Sequence, residues 1–161
     1  MQSTPERSCG GCTACCYTHS VDMDGVTTGF YSLCTHCTAG VGCAIYTKRP
    51  RSCQVYKCLW RSEDLPEMLR PDKSGIILDV WPYEDLGANF LIVWEVTPNS
   101  LERPWVKTFV QQLFETKNYI LWKVGADKDV LSFPDSISQE VRDFITKQFS
   151  DQYRTRTEQP A

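Results

Sequence analysis

Nine cysteines (Cys9, Cys12, Cys15, Cys16, Cys34, Cys37, Cys43, Cys53 and Cys58) and both histidines, His19 and His36, fall within the first 58 residues of a 161-residue chain, and neither type occurs afterwards. Thiolate sulfur and imidazole nitrogen are the ligands of structural zinc, and thiolates also hold iron–sulfur clusters. Cys9-x-x-Cys12 and Cys34-x-x-Cys37 have the two-residue gap that lets one tight loop present two thiolates to one ion. Cys15 and Cys16 are adjacent, and in extended backbone neighbouring side chains point to opposite faces, so the two are expected to serve different ions. Nine thiols and His36 exceed the four ligands of one zinc, which points to two metals or to a cluster of several metal atoms without assigning the partners. His36, inside Cys34-Thr35-His36-Cys37, is either a ligand or a hydrogen-bonding support for one. His19 has no such neighbours and is expected to be an ordinary exposed histidine.

The same segment is poor in material for a core. Its large apolar side chains are few, among them Val21, Val26, Phe30, Tyr31, Leu33, Ile45 and Tyr56. So thin a set does not offset backbone ordering at roughly 1 to 2 kcal/mol per residue. A structural zinc supplies on the order of 10 to 16 kcal/mol of apparent free energy that becomes folding free energy, so metal is the expected staple. A disulfide scaffold fits less well, because an odd count cannot pair off within one chain and a reducing cytosol keeps thiols free. The run Lys48-Arg49-Pro50-Arg51 and Lys57 lie beside Cys43, Cys53 and Cys58 and either offset thiolate charge or form a solvated basic loop. Four cations make too small a footprint to argue for nucleic acid. Pro50 holds Arg49 in extended geometry, which suits a rigid ligand-bearing turn.

Taken together, Cys9-x-x-Cys12-x-x-Cys15-Cys16, then Cys34-x-His36-Cys37, then Gly42-Cys43-Ala44-Ile45-Tyr46-Thr47-Lys48-Arg49-Pro50-Arg51-Ser52-Cys53, and Tyr56-Lys57-Cys58-Leu59-Trp60 resemble the YkgJ-type cysteine-cluster proteins, described as zinc- or iron-chelating domains. The resemblance covers about residues 9 to 60, and Leu69-Arg70-Pro71-Asp72-Lys73-Ser74-Gly75 is similar to the continuation in longer bacterial members. It implies a bacterial cytoplasmic protein that binds zinc or an iron–sulfur cluster through these cysteines, and it implies no reaction. The parts shared with the shortest members map to Cys12, Cys15, Cys16, Cys37, Cys43 and Cys53, although those members often carry a Cys-Pro-Phe-Leu type sequence where this chain has Cys37-Thr38-Ala39-Gly40.

The elements that must carry this segment follow it. Gly75 to Trp81 and Asn89 to Val96 are short apolar runs bounded by Pro82, Gly87 and Pro98, and read as paired strands. Val106, Phe109, Val110, Leu113 and Phe114 recur at helical spacing after Pro104, and Tyr119 to Val124 gives a third strand ending at Gly125. Ser136-x-x-Gln139 reads as a capping box for a last helix with Ile137, Val141, Phe144, Ile145 and Phe149 on one apolar face. The expected architecture is α+β: a loop-rich, metal-stapled segment (1–60) packed on a small antiparallel sheet with helices on one face (61–150), the two forming one compact unit, then a flexible tail (151–161).

Composition narrows the remaining options. The apolar fraction is 42% and the net charge −3, from 17 Lys+Arg against 20 Asp+Glu, which gives no general field for nucleic acid or anionic lipid. No run approaches a membrane span, and the apolar stretch of a secretory signal is missing from the start, so a cytoplasmic address is expected. Phosphate loops, Ser-His-Asp candidates and His-Glu-x-x-His helices are also missing. Cys9-Gly10-Gly11-Cys12 has dithiol redox spacing but no strand before it. The expectation is therefore a zinc-binding module of structural or adaptor type with metal ions as its partners and an unidentified protein as a further one; the alternative is an iron–sulfur redox or iron-responsive protein or enzyme component.

Overall fold

The computed structural model describes residues 7–158, with side chains through position 149. The chain is α+β. Four strands, β5 (Ile76–Tyr83), β6 (Ala88–Glu95), β7 (Ile120–Val124) and β8 (Asp129–Ser132), form one sheet in that order. Strands β5 and β6 pair antiparallel around a turn closed by Gly87, which adopts positive φ, with Ile77 opposite Trp94 and Asp79 opposite Ile92. Pro82, which has no amide donor, is tolerated because β5 is an edge strand. The long helix α5 (Pro104–Lys117) carries the chain from the end of β6 back to the start of β7, so these two strands pair in parallel. The sheet is thus antiparallel except for its central pair.

The apolar runs of β5 and β6 alternate faces without alternating polarity, because both faces are covered. Ile76, Leu78, Leu91, Val93 and Leu121 meet Val106 and Val110 of α5 on one face. On the other, Ile77, Phe90, Ile92, Trp94, Ile120, Trp122 and Val124 meet Ile145 of α6 (Gln139–Glu158) together with Ala14, Cys58, Trp60 and Leu69 from the earlier part of the chain. Helices therefore lie on both faces, not on one, and the second face is shared between α6 and the cysteine-bearing segment. Each fully buried Ile or Val contributes about 1.5 to 3 kcal/mol of apolar burial. The start of α6 is held by Ser138, whose hydroxyl accepts the amide of Val141 at 3.4 Å, while Ser136 pairs with the side chain of Asn118. A single cap bond two residues later therefore stands in place of the expected capping box, because Val141 occupies the position where a box needs Glu or Gln. Phe144 is exposed, outside the apolar face formed by Ile137, Val141, Ile145 and Phe149. The α6 backbone is helical to Glu158, where a tail was expected; 159–161 lie outside the described residues.

The cysteine-bearing segment is built from short pieces: α1 (Ala14–Thr18), the hairpin β1 (Val21–Met23) and β2 (Val26–Thr28), the two-residue pair β3 (Cys37–Thr38) and β4 (Gly42–Cys43), α2 (Arg51–Val55), α3 (Leu59–Ser62) and α4 (Pro71–Ser74). The first hairpin turns at Asp24-Gly25, both at positive φ as a type I′ turn requires. Three joints tie this segment to the sheet. Tyr31 donates to the carbonyl of Val124 at 2.8 Å and Tyr56 donates to Asp79 at 2.8 Å; the third, Arg70, stacked on Trp60, reaches no strand itself but donates to the carbonyl of Cys9 at 2.9 Å and so fastens the first loop to the chain leading into β5.

Candidate metal centre

Local backbone explains how the thiols converge. In both Cys-x-x-Cys loops the second cysteine's amide donates to the first cysteine's carbonyl, Cys12 to Cys9 and Cys37 to Cys34, each at 2.9 Å. The two loops are thus the same tight turn used twice. The first also needs its glycines, since Gly10 has φ +54° and a Cβ on Gly11 would stand 2.7 Å from the carbonyl oxygen of Gly40. That contact sets the first loop against the turn between β3 and β4. The amide of Cys34 donates to the carbonyl of Cys16 at 3.0 Å, and Cys37 lies directly opposite Cys43 in the β3–β4 pair. Cys53 sits on the single turn of α2, whose start is fixed by the Arg51 amide donating to Asp24 at 3.0 Å. Cys58 precedes α3 and is buried.

These pieces enclose a cavity of about 190 Å³ with seven cysteines in its wall, all but Cys37 and Cys58. A second, of about 40 Å³, is bordered by Cys58 with Cys9, Cys12, Cys15 and Cys53. The thiols therefore fall into two neighbourhoods. Cys16, Cys34, Cys37, Cys43 and Cys53 act electrostatically on one another, and Cys9, Cys12 and Cys58 do the same. Cys9, Cys12, Cys15 and Cys53 border both cavities, so the two neighbourhoods adjoin. Among the described residues no three His, Cys, Asp or Glu side chains already stand as a coordination sphere, so the sulfurs face one another across space instead of forming a finished tetrahedron. Cys15 and Cys16 are not in extended backbone as expected but on the helical turn α1, where the Cys16 thiol hydrogen-bonds to the Cys15 sulfur. His36 lines neither cavity, and its backbone carbonyl accepts the amide of Ala44 at 2.8 Å.

Crowding sets the charge state of the thiols. The hydrogen bond to Cys15 and then burial push the Cys16 thiol well above its ordinary range, while the Arg49 charge acts in the opposite sense. Burial, followed by the neighbouring sulfurs, pushes Cys37 up to about 12, and burial pushes Cys58 up to about 11. Cys12 and Cys53 are raised, again mainly by burial. Without a bound cation, burial and crowding thus favour the protonated form of these thiols. A cation placed among them would reverse the balance, releasing protons as it bound.

Two residues beside the thiols, Asp79 and His19, join the cysteine-bearing segment to the sheet. Asp79, on an otherwise apolar strand, is only 6% exposed and accepts from the hydroxyl of Tyr56 at 2.8 Å and the indole of Trp94 at 3.0 Å. Its other contact is Nε2 of His19 at 3.3 Å, whose Nδ1 lies 2.7 Å from the Thr18 hydroxyl. His19 is therefore not an ordinary exposed residue: it packs over Trp94 and Tyr56, with ring centroids 4.4 and 4.8 Å apart, and lines the larger cavity. A carboxylate inside the run Ile76 to Trp81 was the available signal, because a buried acid needs partners.

The donor set is chemically that of zinc or iron–sulfur sites: many sulfurs, little oxygen and a wall of mostly apolar atoms. Thr18, His19 and Asp79 stand in the order hydroxyl, imidazole, carboxylate, but Thr18 is fully buried and its hydroxyl donates to the carbonyl of Ala14, so it offers no nucleophile to a substrate. No helix among the described residues is long and apolar enough to cross a membrane. In comparisons with known proteins, no family model, no curated protein and no solved structure matches this chain.

Proposed function

We propose that this protein is a metal-binding cysteine-cluster protein in which thiolates hold two centres, one on Cys9, Cys12, Cys15 and Cys58 and the other on ligands drawn from Cys16, Cys34, Cys37, Cys43 and Cys53. The observation that carries the reading is the convergence of seven cysteines from five separate loops and turns on one cavity. The division of the thiols into two neighbourhoods supports two centres, and the resemblance of residues 9 to 60 to the YkgJ-type proteins supports zinc or iron as the occupant. His36 is an outlying candidate ligand. The role is structural or adaptor-like and carries no assigned reaction, and the address is cytoplasmic, in keeping with so many unpaired thiols.

The volume of the larger cavity favours a second reading. One zinc with four sulfurs at about 2.3 Å needs little space beyond the ligands themselves. A void of about 190 Å³ also suits an iron–sulfur cluster, and the protein would then serve redox or iron sensing, or act as an enzyme component. Anaerobic purification followed by metal and acid-labile sulfide analysis decides. A colourless protein with two zinc per chain supports the first reading, a brown protein with labile sulfide supports the second, and a chain without bound metal overturns both.

A further inference from the structure

The basic run beside the cysteines contains four cations, and the fold treats one of them differently. Lys48, Arg51 and Lys57 are exposed. Arg49 turns inward: its guanidinium carbon lies 3.8 Å from the centroid of the Tyr46 ring, and its side chain borders both cavities. Among the described residues it is the one Lys or Arg in the wall of the larger cavity, and its Nε is fully buried with no hydrogen-bond partner. The backbone that aims it is fixed. Arg49 is extended ahead of Pro50, as that proline dictates, and its carbonyl accepts the side-chain amide of Gln54 at 2.7 Å. Its charge is felt at Cys16.

A buried guanidinium N–H without an acceptor is costly and calls for a partner that arrives later. Four thiolates outweigh the charge of a divalent ion, so a loaded centre is a net anion whose sulfurs accept hydrogen bonds. We infer that Arg49 is the counter-charge of the metal–thiolate centre in the larger cavity, its Nε–H donating to a ligand sulfur once metal is bound. This inference rests on the metal-binding reading above. Arg49 would be a positioning residue, holding ligands and balancing charge, as outer-shell partners of metal sites do.

The test uses the full chain purified anaerobically, with Arg49→Gln and Arg49→Lys compared against Lys48→Gln and Arg51→Gln. Readouts are metal per chain as isolated and the rate of metal loss to a chromogenic chelator. Arg49→Gln should lose metal about 10- to 100-fold faster, the usual effect of deleting an outer-shell partner. Arg49→Lys should fall between it and the parent, because the charge remains without the planar N–H. Lys48→Gln and Arg51→Gln should stay within about twofold, since exposed charges are screened. Tyr46→Leu, which deletes the ring and leaves the charge, should stay within about twofold of the parent in metal loss, whereas an Arg49 that acts only by packing on Tyr46 would make Tyr46→Leu and Arg49→Gln lose metal equally fast. Parent-like metal loss in Arg49→Gln, or equal losses in all three glutamine variants, overturns the inference while leaving the metal-binding reading intact. Should Arg49→Gln fail to fold, a folded Arg49→Lys decides: faster loss than the parent supports the inference and an equal rate overturns it. A metal-free parent protein overturns the reading on which it rests.

Discussion

The sheet and the cysteine-bearing segment are held by different physics. The largest fully buried side chains of the sheet region are apolar, including Ile76, Ile77, Leu91, Ile92, Val93, Ile120 and Val124, each at most 1% exposed. Among the described residues up to Cys58, the one side chain in that class is Thr18. The sheet can be stabilised by apolar burial alone. The other region has tight turns, two very short hairpins and single-turn helices, elements that do not persist without external support. Its order depends on the few joints to the sheet and, on the proposed reading, on bound metal.

Stripping the metal should break this contrast most visibly. A chelator-treated sample, or Cys43→Ser, should lose on the order of 10 kcal/mol from the cysteine-bearing segment. Limited proteolysis would then cut between residues 9 and 58, while amide resonances of the sheet stay dispersed. If every resonance keeps its position after verified metal removal, the segment holds itself together and the contrast is wrong. The opposite perturbation is Ile92→Ala, which opens a cavity on the sheet face shared by both regions and should cost about 2 to 5 kcal/mol. Thermal unfolding should register that loss with metal per chain unchanged.

The junction comes next in size. Asp79→Leu would leave the Tyr56 hydroxyl and the Trp94 indole without their acceptor, at about 1 to 3 kcal/mol for each donor that stays buried. Urea titration should show the loss, and faster proteolysis of the cysteine-bearing segment should accompany it, since Tyr56 belongs to that segment. His19→Ala removes one of Asp79's three partners and should cost about 1 kcal/mol. A histidine free of structural contacts would cost nothing.

The difference between the regions also explains what could be read in advance. Strands β5, β6 and β7 and helix α5 announce themselves through long apolar patterns, because burial selects those residues at regular intervals. The crossover by α5, and with it helices on both faces, follows from a long helix between two strands that lack polar alternation, the pattern of strands covered on both sides. β8 carries only Val130 and Leu131 between polar ends, too little pattern to find. The Asp24-Gly25 pair is a hairpin signal in the sequence, but the three-residue strands on either side of it carry too little apolar pattern to mark them. Within the candidate site, the cysteines and their paired turns could be read from spacing, since a two-residue gap dictates a local turn. The division of the thiols, the inward Arg49 and the Asp79 junction depend on contacts between distant parts of the chain, as in the 60-residue separation of His19 from Asp79.

Charge pairs on the surface should sharpen the comparison by failing to distinguish the regions. Glu67 binds Lys73 at 2.7 Å close to the cysteine-bearing segment, and Glu102 binds Lys107 at 2.6 Å beside α5. In both, the lysine's hydrogen bond holds the carboxyl below its ordinary range. A depressed carboxyl contributes stability only above its unfolded pKa, and that contribution disappears as pH falls through the folded value. Both glutamates are fully exposed, where solvent and salt screen the pair and side-chain ordering opposes it. Lys73→Ala and Lys107→Ala should therefore each leave the melting temperature within experimental error at physiological salt and neutral pH, with no divergence between them on acidification. A clear loss from Lys73→Ala alone would mean that charge on the linker, through Arg70 and its bond to Cys9, supports the thiol-bearing loops in a way that burial and metal do not.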